Sequence, residues 1–178
     1  MNNLKFLATT LIIVIFSLTG YSQTKELGLR LNNLTDFSFI YKKEKSELKY
    51  IRHRFGIVNL GISDVADNKN YNIGLGYAIG IEKRKSINEK LMFIHGFEPQ
   101  LAANISKNMI VLNPAIGYVL GFQYTINDDF YVSVETIPSL NGNIVIRDNS
   151  SNLYSLNAGF NSNFVALTIA YKFNSEAN

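Results

Sequence analysis

The chain has 178 residues, of which 47% are hydrophobic and 17% charged, so it is too apolar to be disordered and its length suits one domain. The chain has seventeen Lys and Arg residues and fourteen Asp and Glu residues, and sixteen basic residues remain if Lys5 is removed with a leader. This near balance argues against a nucleic-acid partner, which requires a basic stripe. The absence of cysteine excludes disulfides, thiol chemistry and a lipid-modified N-terminal cysteine.

Residues 1–22 have the pattern of a secretory signal peptide. Lys5 gives a positive start, residues 6–18 form an apolar run, and Gly20, Tyr21 and Ser22 form a small-x-small cleavage site. The alternative is a permanent membrane anchor, but the run is shorter than the roughly 20 residues that a spanning helix needs. The sequence therefore predicts an exported chain with one mature domain over residues 23–178.

Beyond this leader, apolar and polar residues alternate with a period of two, which predicts strands rather than helices. The alternating segments are residues 26–32, 37–42, 48–62, 71–82, 91–102, 112–125, 130–135 and 163–173, the last of which could begin at Leu153. In the third segment, a β-bulge near Val58 would bring its two halves into phase. Turn-forming or polar residues separate the segments, at 33–36, 43–46, 63–70, 83–90, 104–108, 127–129 and 141–152.

The two faces of each predicted strand differ in size as well as polarity. In residues 71–82, large apolar or aromatic side chains alternate with Asn, Gly, Ala and Glu. An interior bounded by eight strands has room only for tightly packed side chains, so the small and charged residues are expected inside and the large apolar ones outside, against lipid. Closure also removes the sheet edges that lipid cannot solvate. The sequence predicts an all-β fold, an eight-stranded antiparallel up-and-down transmembrane β-barrel.

This pattern resembles the small eight-stranded outer-membrane β-barrel proteins of Gram-negative bacteria, often called porin-like although they lack an open pore. The resemblance covers residues 25–173, and its most specific element is the terminal strand with Val165, Leu167, Ile169, Tyr171 and Phe173 on one face. It implies an outer-membrane location after signal-peptide cleavage, with short turns and both termini in the periplasm. It also implies that the barrel-assembly machinery reads the terminal strand, although residues 174–178 extend past Phe173, unlike the family pattern.

Six charged residues lie on the predicted inward faces, together with Gln100 and Gln123. They are Arg30, Arg52, Arg54, Glu82, Glu98 and Glu135. Because an unpaired buried charge is expensive, we expect salt bridges among them. The cluster could form a polar conduit or gate, or a plug that fixes the packing of the barrel, and the narrow interior favours the plug.

The basic residues of the predicted turns have two interpretations, contact with anionic lipid headgroups or simple solubility. They are Lys42, Lys43, Lys45, Lys83, Arg84, Lys85 and Lys90.

The sequence predicts no enzyme, cofactor or metal site. His53 and His95 are the only histidines, and no spacing of histidines and carboxylates resembles a metal site. His95 precedes Glu98 by three residues, which places the two side chains on opposite faces of a strand.

The leading hypothesis is a monomeric outer-membrane barrel with a structural or interaction role. Lipid surrounds it, and a protein partner could bind its extracellular loops or strands that project beyond the membrane. The first alternative is a secreted soluble barrel that carries an apolar ligand, in which Ile73, Leu75, Tyr77 and Ile79 would line a cavity. The second is a lipid-modifying membrane enzyme, which needs a histidine near a serine and a carboxylate.

Overall fold

In the computed structural model, residues 24–32, 37–65, 68–107, 109–147, 153–159 and 165–173 are described. They form ten strands: β1 (Lys25–Leu31), β2 (Phe37–Ser46), β3 (Lys49–Val65), β4 (Asn68–Ser86), β5 (Leu91–Ser106), β6 (Met109–Thr125), β7 (Phe130–Thr136), β8 (Ser139–Arg147), β9 (Leu153–Gly159) and β10 (Ala166–Phe173). No helix within these ranges could span a membrane. The predicted signal peptide lies outside the described residues.

Eight of the ten strands close into an antiparallel barrel. Strands β1 to β6 pair in sequence order, β6 pairs with β7, β7 pairs with β10, and β10 returns to β1. In the closing pair, Leu29 lies opposite Ile169 and Leu31 opposite Leu167. The prediction of an all-β, eight-stranded antiparallel barrel is therefore confirmed.

Strands β8 and β9 extend the sheet beyond the closed barrel. β7 and β8 follow one another along β6, because β7 pairs with residues 120–125 and β8 with residues 109–117. Ile137 and Pro138 separate the two strands, and the Tyr118 amide donates a hydrogen bond to the Pro138 carbonyl at 2.9 Å. Within the described residues β9 pairs only with β8, and its other edge has no partner strand among them.

The bounds of three predicted polar loops were wrong, because strands extend into them. Residues 63–70 overlap the ends of β3 and β4, residues 104–108 overlap the end of β5, and residues 141–152 overlap the end of β8. The alternation of apolar residues stops there while backbone pairing continues, for example between Asp64 of β3 and Lys69 of β4. The predicted bulge near Val58 is confirmed by a register shift between Ile57 and Asn59.

The opposite end of the barrel has short turns, at residues 47–48, 87–90 and 126–129, and we call it the turn end. The first predicted turn is displaced, since β2 runs to Ser46 and Leu48 takes the left-handed φ of 57°. The predicted turn at 127–129 is confirmed: the Asn127 side-chain oxygen accepts hydrogen bonds from the amides of Asp129 and Phe130 at 3.0 and 2.8 Å.

The side chains divide between a polar interior and an apolar exterior. On β10, Ala166, Thr168 and Ala170 are buried, whereas Leu167 and Ile169 are 42% and 49% exposed. Gly28 shows how tight the interior is, because a Cβ there would lie 2.7 Å from the Cβ of Ala170. The apolar exterior includes Leu29, Phe39, Phe55, Leu75, Ile79, Ile81, Phe97, Leu101, Ile116, Phe122, Val134 and Ile169, all at least 40% exposed.

Candidate functional site

The interior of the barrel contains a continuous network of charged side chains, and Arg52 of β3 lies at its centre. Its guanidinium contacts three carboxylates: Glu82 at 3.0 Å, Glu98 at 2.8 Å and Glu135 at 2.8 Å. These come from β4, β5 and β7, so one side chain joins strands on opposite walls. Arg52 is completely buried, which its planar guanidinium tolerates because several carboxylates surround it.

Towards the turn end, the network continues through Arg84 and Glu26. Arg84 donates to both carboxylate oxygens of Glu26, at 2.7 and 2.6 Å, and its Nε donates to Glu82 at 2.7 Å. Its guanidinium carbon lies 3.7 Å from the centre of the Tyr50 ring, a cation–π contact. The Tyr131 hydroxyl donates to Glu26 at 2.7 Å. Four strands are thereby joined at this level.

Away from the turn end, the network continues through Arg30 and Arg54. Arg30 forms an ion pair with Glu135. Arg54 donates to Glu98 at 2.8 Å and to the side-chain oxygen of Gln100 at 2.7 Å. The Arg54 side chain is 18% exposed, so this is the more open side of the network.

The structure brings all six predicted interior charges, Arg30, Arg52, Arg54, Glu82, Glu98 and Glu135, into this one network. Gln123 is also buried, and neither polar atom of its amide has a hydrogen-bond partner in the described residues. The network fills the interior, because Lys42, Arg52, Glu82 and Glu135 are each at most 1% exposed. These four side chains are therefore packed inside the barrel, away from solvent.

Sequence reasoning missed four members of the network: Glu26, Lys42, Arg84 and Tyr131. The interpretation of Lys42 and Arg84 as turn residues near lipid headgroups was wrong, since they are 0% and 6% exposed. Lys42 contacts Glu82 at 2.8 Å. The alternation of each strand carried the necessary signal, because Lys42 is the last inward position of predicted residues 37–42 and Arg84 continues the inward phase of β4 by one further step.

Both histidines lie on the outside of the barrel, each beside a tyrosine of the neighbouring strand. His53 Nδ1 lies 2.8 Å from the Tyr77 hydroxyl, and His95 Nδ1 lies 3.1 Å from the Tyr118 hydroxyl. Glu98 points inward, so His95 and Glu98 lie on opposite faces as predicted. The described residues contain no group of three potential metal ligands.

The terminal strand has the predicted facing. Val165, Leu167, Ile169 and Phe173 are 42–49% exposed, and Tyr171 is intermediate. Tyr171 packs edge-on against Phe130 and Phe173, with ring centres 4.9 and 4.7 Å apart. This aromatic group lies at the turn end. The role of the strand as an assembly signal stays a prediction.

Comparison with known protein families and with curated proteins finds no match to this chain.

Proposed function

We propose that the protein is an integral outer-membrane β-barrel with a plugged polar interior and a structural or interaction role. The observation that carries the proposal is the inverted distribution of polarity. The buried positions hold four carboxylates and four cations, with Arg54 partly exposed beside them, whereas the outer wall exposes a belt of leucine, isoleucine, valine and aromatic side chains. Soluble monomers rarely expose such a large continuous apolar surface, and lipid is the solvent that suits it.

Closure of the backbone supports the same proposal. A strand in lipid needs a partner on both sides, because no water is present to bind its amides and carbonyls. At the level of the apolar belt, each of the eight barrel strands has a paired strand on both sides. Aromatic residues at the turn end, including Tyr124, Phe130 and Phe173, fit an interfacial girdle. The proposal that the chain is exported is based on the sequence pattern of residues 1–22 alone.

The facing of β4 bears on the soluble carrier, the main alternative. A carrier would turn Leu75, Tyr77 and Ile79 towards a ligand cavity, but these side chains are 54%, 40% and 43% exposed on the outer wall. The inward positions of the same strand hold Ala78, Gly80 and Glu82. The facing therefore favours a lipid-exposed barrel.

Cell fractionation tests the proposed location. The full chain, expressed in a Gram-negative host, is expected in the outer-membrane fraction after an alkaline wash. It should also migrate differently on a detergent gel before and after boiling, because a closed barrel resists detergent until heated. Recovery of the mature protein in the soluble fraction, with no heat-dependent shift, would favour the carrier instead.

Among the described residues, the edge of β9 away from β8 has no partner strand, which favours an interaction role by strand addition. β9 is exposed along its whole length, and Tyr154 and Leu156 are 72% and 71% exposed. An unpaired edge with exposed apolar side chains is a template for an added strand. The proposed partner is therefore a protein segment in extended conformation.

A photo-crosslinker at Tyr154 tests this second role in intact cells. We expect a discrete crosslinked protein that Leu156→Lys weakens severalfold, because a lysine on an edge strand discourages pairing. Ile146→Lys, on the neighbouring β8, is the matched control and should leave the crosslink unchanged. Equal loss in both variants, or no crosslink from the edge, would remove support for strand addition.

A further inference from the structure

Four lysines lie on the outer wall at the turn end of strands β2 to β4. They are Lys43, Lys49, Lys83 and Lys85. Each alternates with an inward residue of the same strand, namely Lys42, Tyr50, Glu82 and Arg84, and these are buried. The facing of the four lysines therefore follows from the pleat of the strands. We call them the lysine patch.

The pairing within and beside the lysine patch brings like charges together. Lys49 lies directly opposite Lys83, and Lys43 lies directly opposite Lys25 of β1. Like charges at opposed positions destabilise a sheet. Among the described residues, no carboxylate lies within 4.0 Å of the ammonium groups of the lysine patch. An external anion would remove this repulsion.

The lysine patch occupies one sector rather than the whole circumference. On β5, β6, β7 and β10 the outward residues at the turn end are aromatic, namely Phe93, Tyr124, Phe130 and Phe173. If every turn of the barrel required positive charge, lysines would be spread around the whole circumference. The positive charge on the outer wall at this end is therefore concentrated in one sector.

The wall next to the lysine patch is apolar. On β4, Ile79 and Ile81 precede Lys83 in the outward phase and are 43% and 44% exposed. Lysine side chains at such a boundary lay their methylenes on the apolar surface and keep their ammonium groups at headgroup level. The sector thus offers an apolar wall for acyl chains and a row of cations for a phosphate.

We infer that the lysine patch binds the phosphodiester of anionic phospholipids in the leaflet on the turn side. The inference rests on the proposed membrane location and adds the lipid class that the barrel selects. The adjoining apolar wall identifies a lipid headgroup, rather than soluble phosphate, as the source of the anion. Binding requires no change in the barrel, because the ammonium groups already lie on its outside.

Lipid selectivity measured by electron spin resonance tests the inference. The full-length mature barrel is reconstituted in phosphatidylcholine bilayers that contain spin-labelled phosphatidylglycerol or spin-labelled phosphatidylcholine, and the motionally restricted fraction of each is compared. We expect phosphatidylglycerol to be favoured about fivefold or more at low salt, since each lysine near an anionic headgroup contributes a factor of about five. Lys43→Gln/Lys83→Gln removes two of the four lysines and should lower the ratio severalfold.

A matched control removes two charges from the far end of the barrel. Lys107→Gln/Arg147→Gln changes the net charge equally and should leave the ratio unchanged. A ratio near one for the unaltered barrel, or an equal fall in both double variants, would overturn the lysine patch while leaving the barrel in the membrane. Loss of selectivity in phosphate buffer but not in chloride of equal ionic strength would identify soluble phosphate and overturn the lipid assignment. Restriction of neither lipid would show that the protein does not insert, so the proposed function would fail first.

Discussion

Glu135→Leu is expected to lower the free energy of unfolding by about 3–5 kcal/mol, because it leaves the buried Arg30 without its ion-pair partner. Glu135 is the ion-pair partner of Arg30, and it also contacts Arg52 at 2.8 Å and Lys42 at 3.8 Å. The interior already holds five cations against four carboxylates, so this change increases the imbalance. Urea unfolding of the barrel in lipid vesicles, monitored by the heat-dependent gel shift, measures the decrease in the free energy of unfolding.

Two comparisons separate this electrostatic effect from a general defect. Arg52→Met should be milder, because Glu82, Glu98 and Glu135 each keep another cation. Val134→Leu, on the adjacent outward position, should change stability by less than about 0.5 kcal/mol. If Glu135→Leu unfolds at the same urea concentration as the unaltered protein, the network does not hold the barrel together.

Leu29→Arg is expected to destabilise the barrel in a bilayer by about 2–4 kcal/mol, the penalty for an arginine on the lipid face near the midplane. Leu29 is 40% exposed and lies between Phe39 of β2 and Ile169 of β10, both of which also face outward. A long side chain has little opportunity to reach water from the middle of this apolar surface. Urea unfolding in vesicles again gives the change in free energy.

Ile126→Arg is the matched control for the lipid-facing charge. Ile126 is 51% exposed, more than Leu29, but it lies in the turn at residues 126–129. Arginine there reaches water directly, so the change should be within about 0.5 kcal/mol. Equal and small effects at both positions would indicate that the whole outer wall faces water.

The facing of the strands could be predicted because the pleat alternates with a fixed period of two. Successive inward positions hold Gly28 and Arg30 on β1, and Gly80 and Glu82 on β4. Local sequence alone therefore separates the two faces. The same rule already puts Lys42 on the inward face of residues 37–42, and extended by one step beyond residues 71–82 it would have assigned Arg84 to the interior. They were placed in turns because their charged neighbours have the composition of a turn, and composition does not locate the last paired residue.

The sheet extension could not be predicted in the same way. Where β3 to β6 and β8 continue past the closed barrel, neither face needs a continuous apolar stripe, so segments such as residues 63–70 resemble loops. The transfer of pairing along β6 from β7 to β8 depends on a contact between distant parts of the chain. The partner of Arg84, Glu26, is likewise 58 residues away, and no local pattern identifies it.

Collision accessibility of single spin labels tests most directly whether the apolar wall faces lipid. The chain has no cysteine, so Ile79→Cys, Ile169→Cys and Leu156→Cys can each carry one label without background. In bilayers, labels at positions 79 and 169 should collide more with oxygen, which partitions into lipid, and the label at position 156 more with a water-soluble nickel complex. If the water-soluble reagent reaches positions 79 and 169 as readily as position 156, the wall faces water and the membrane assignment is wrong.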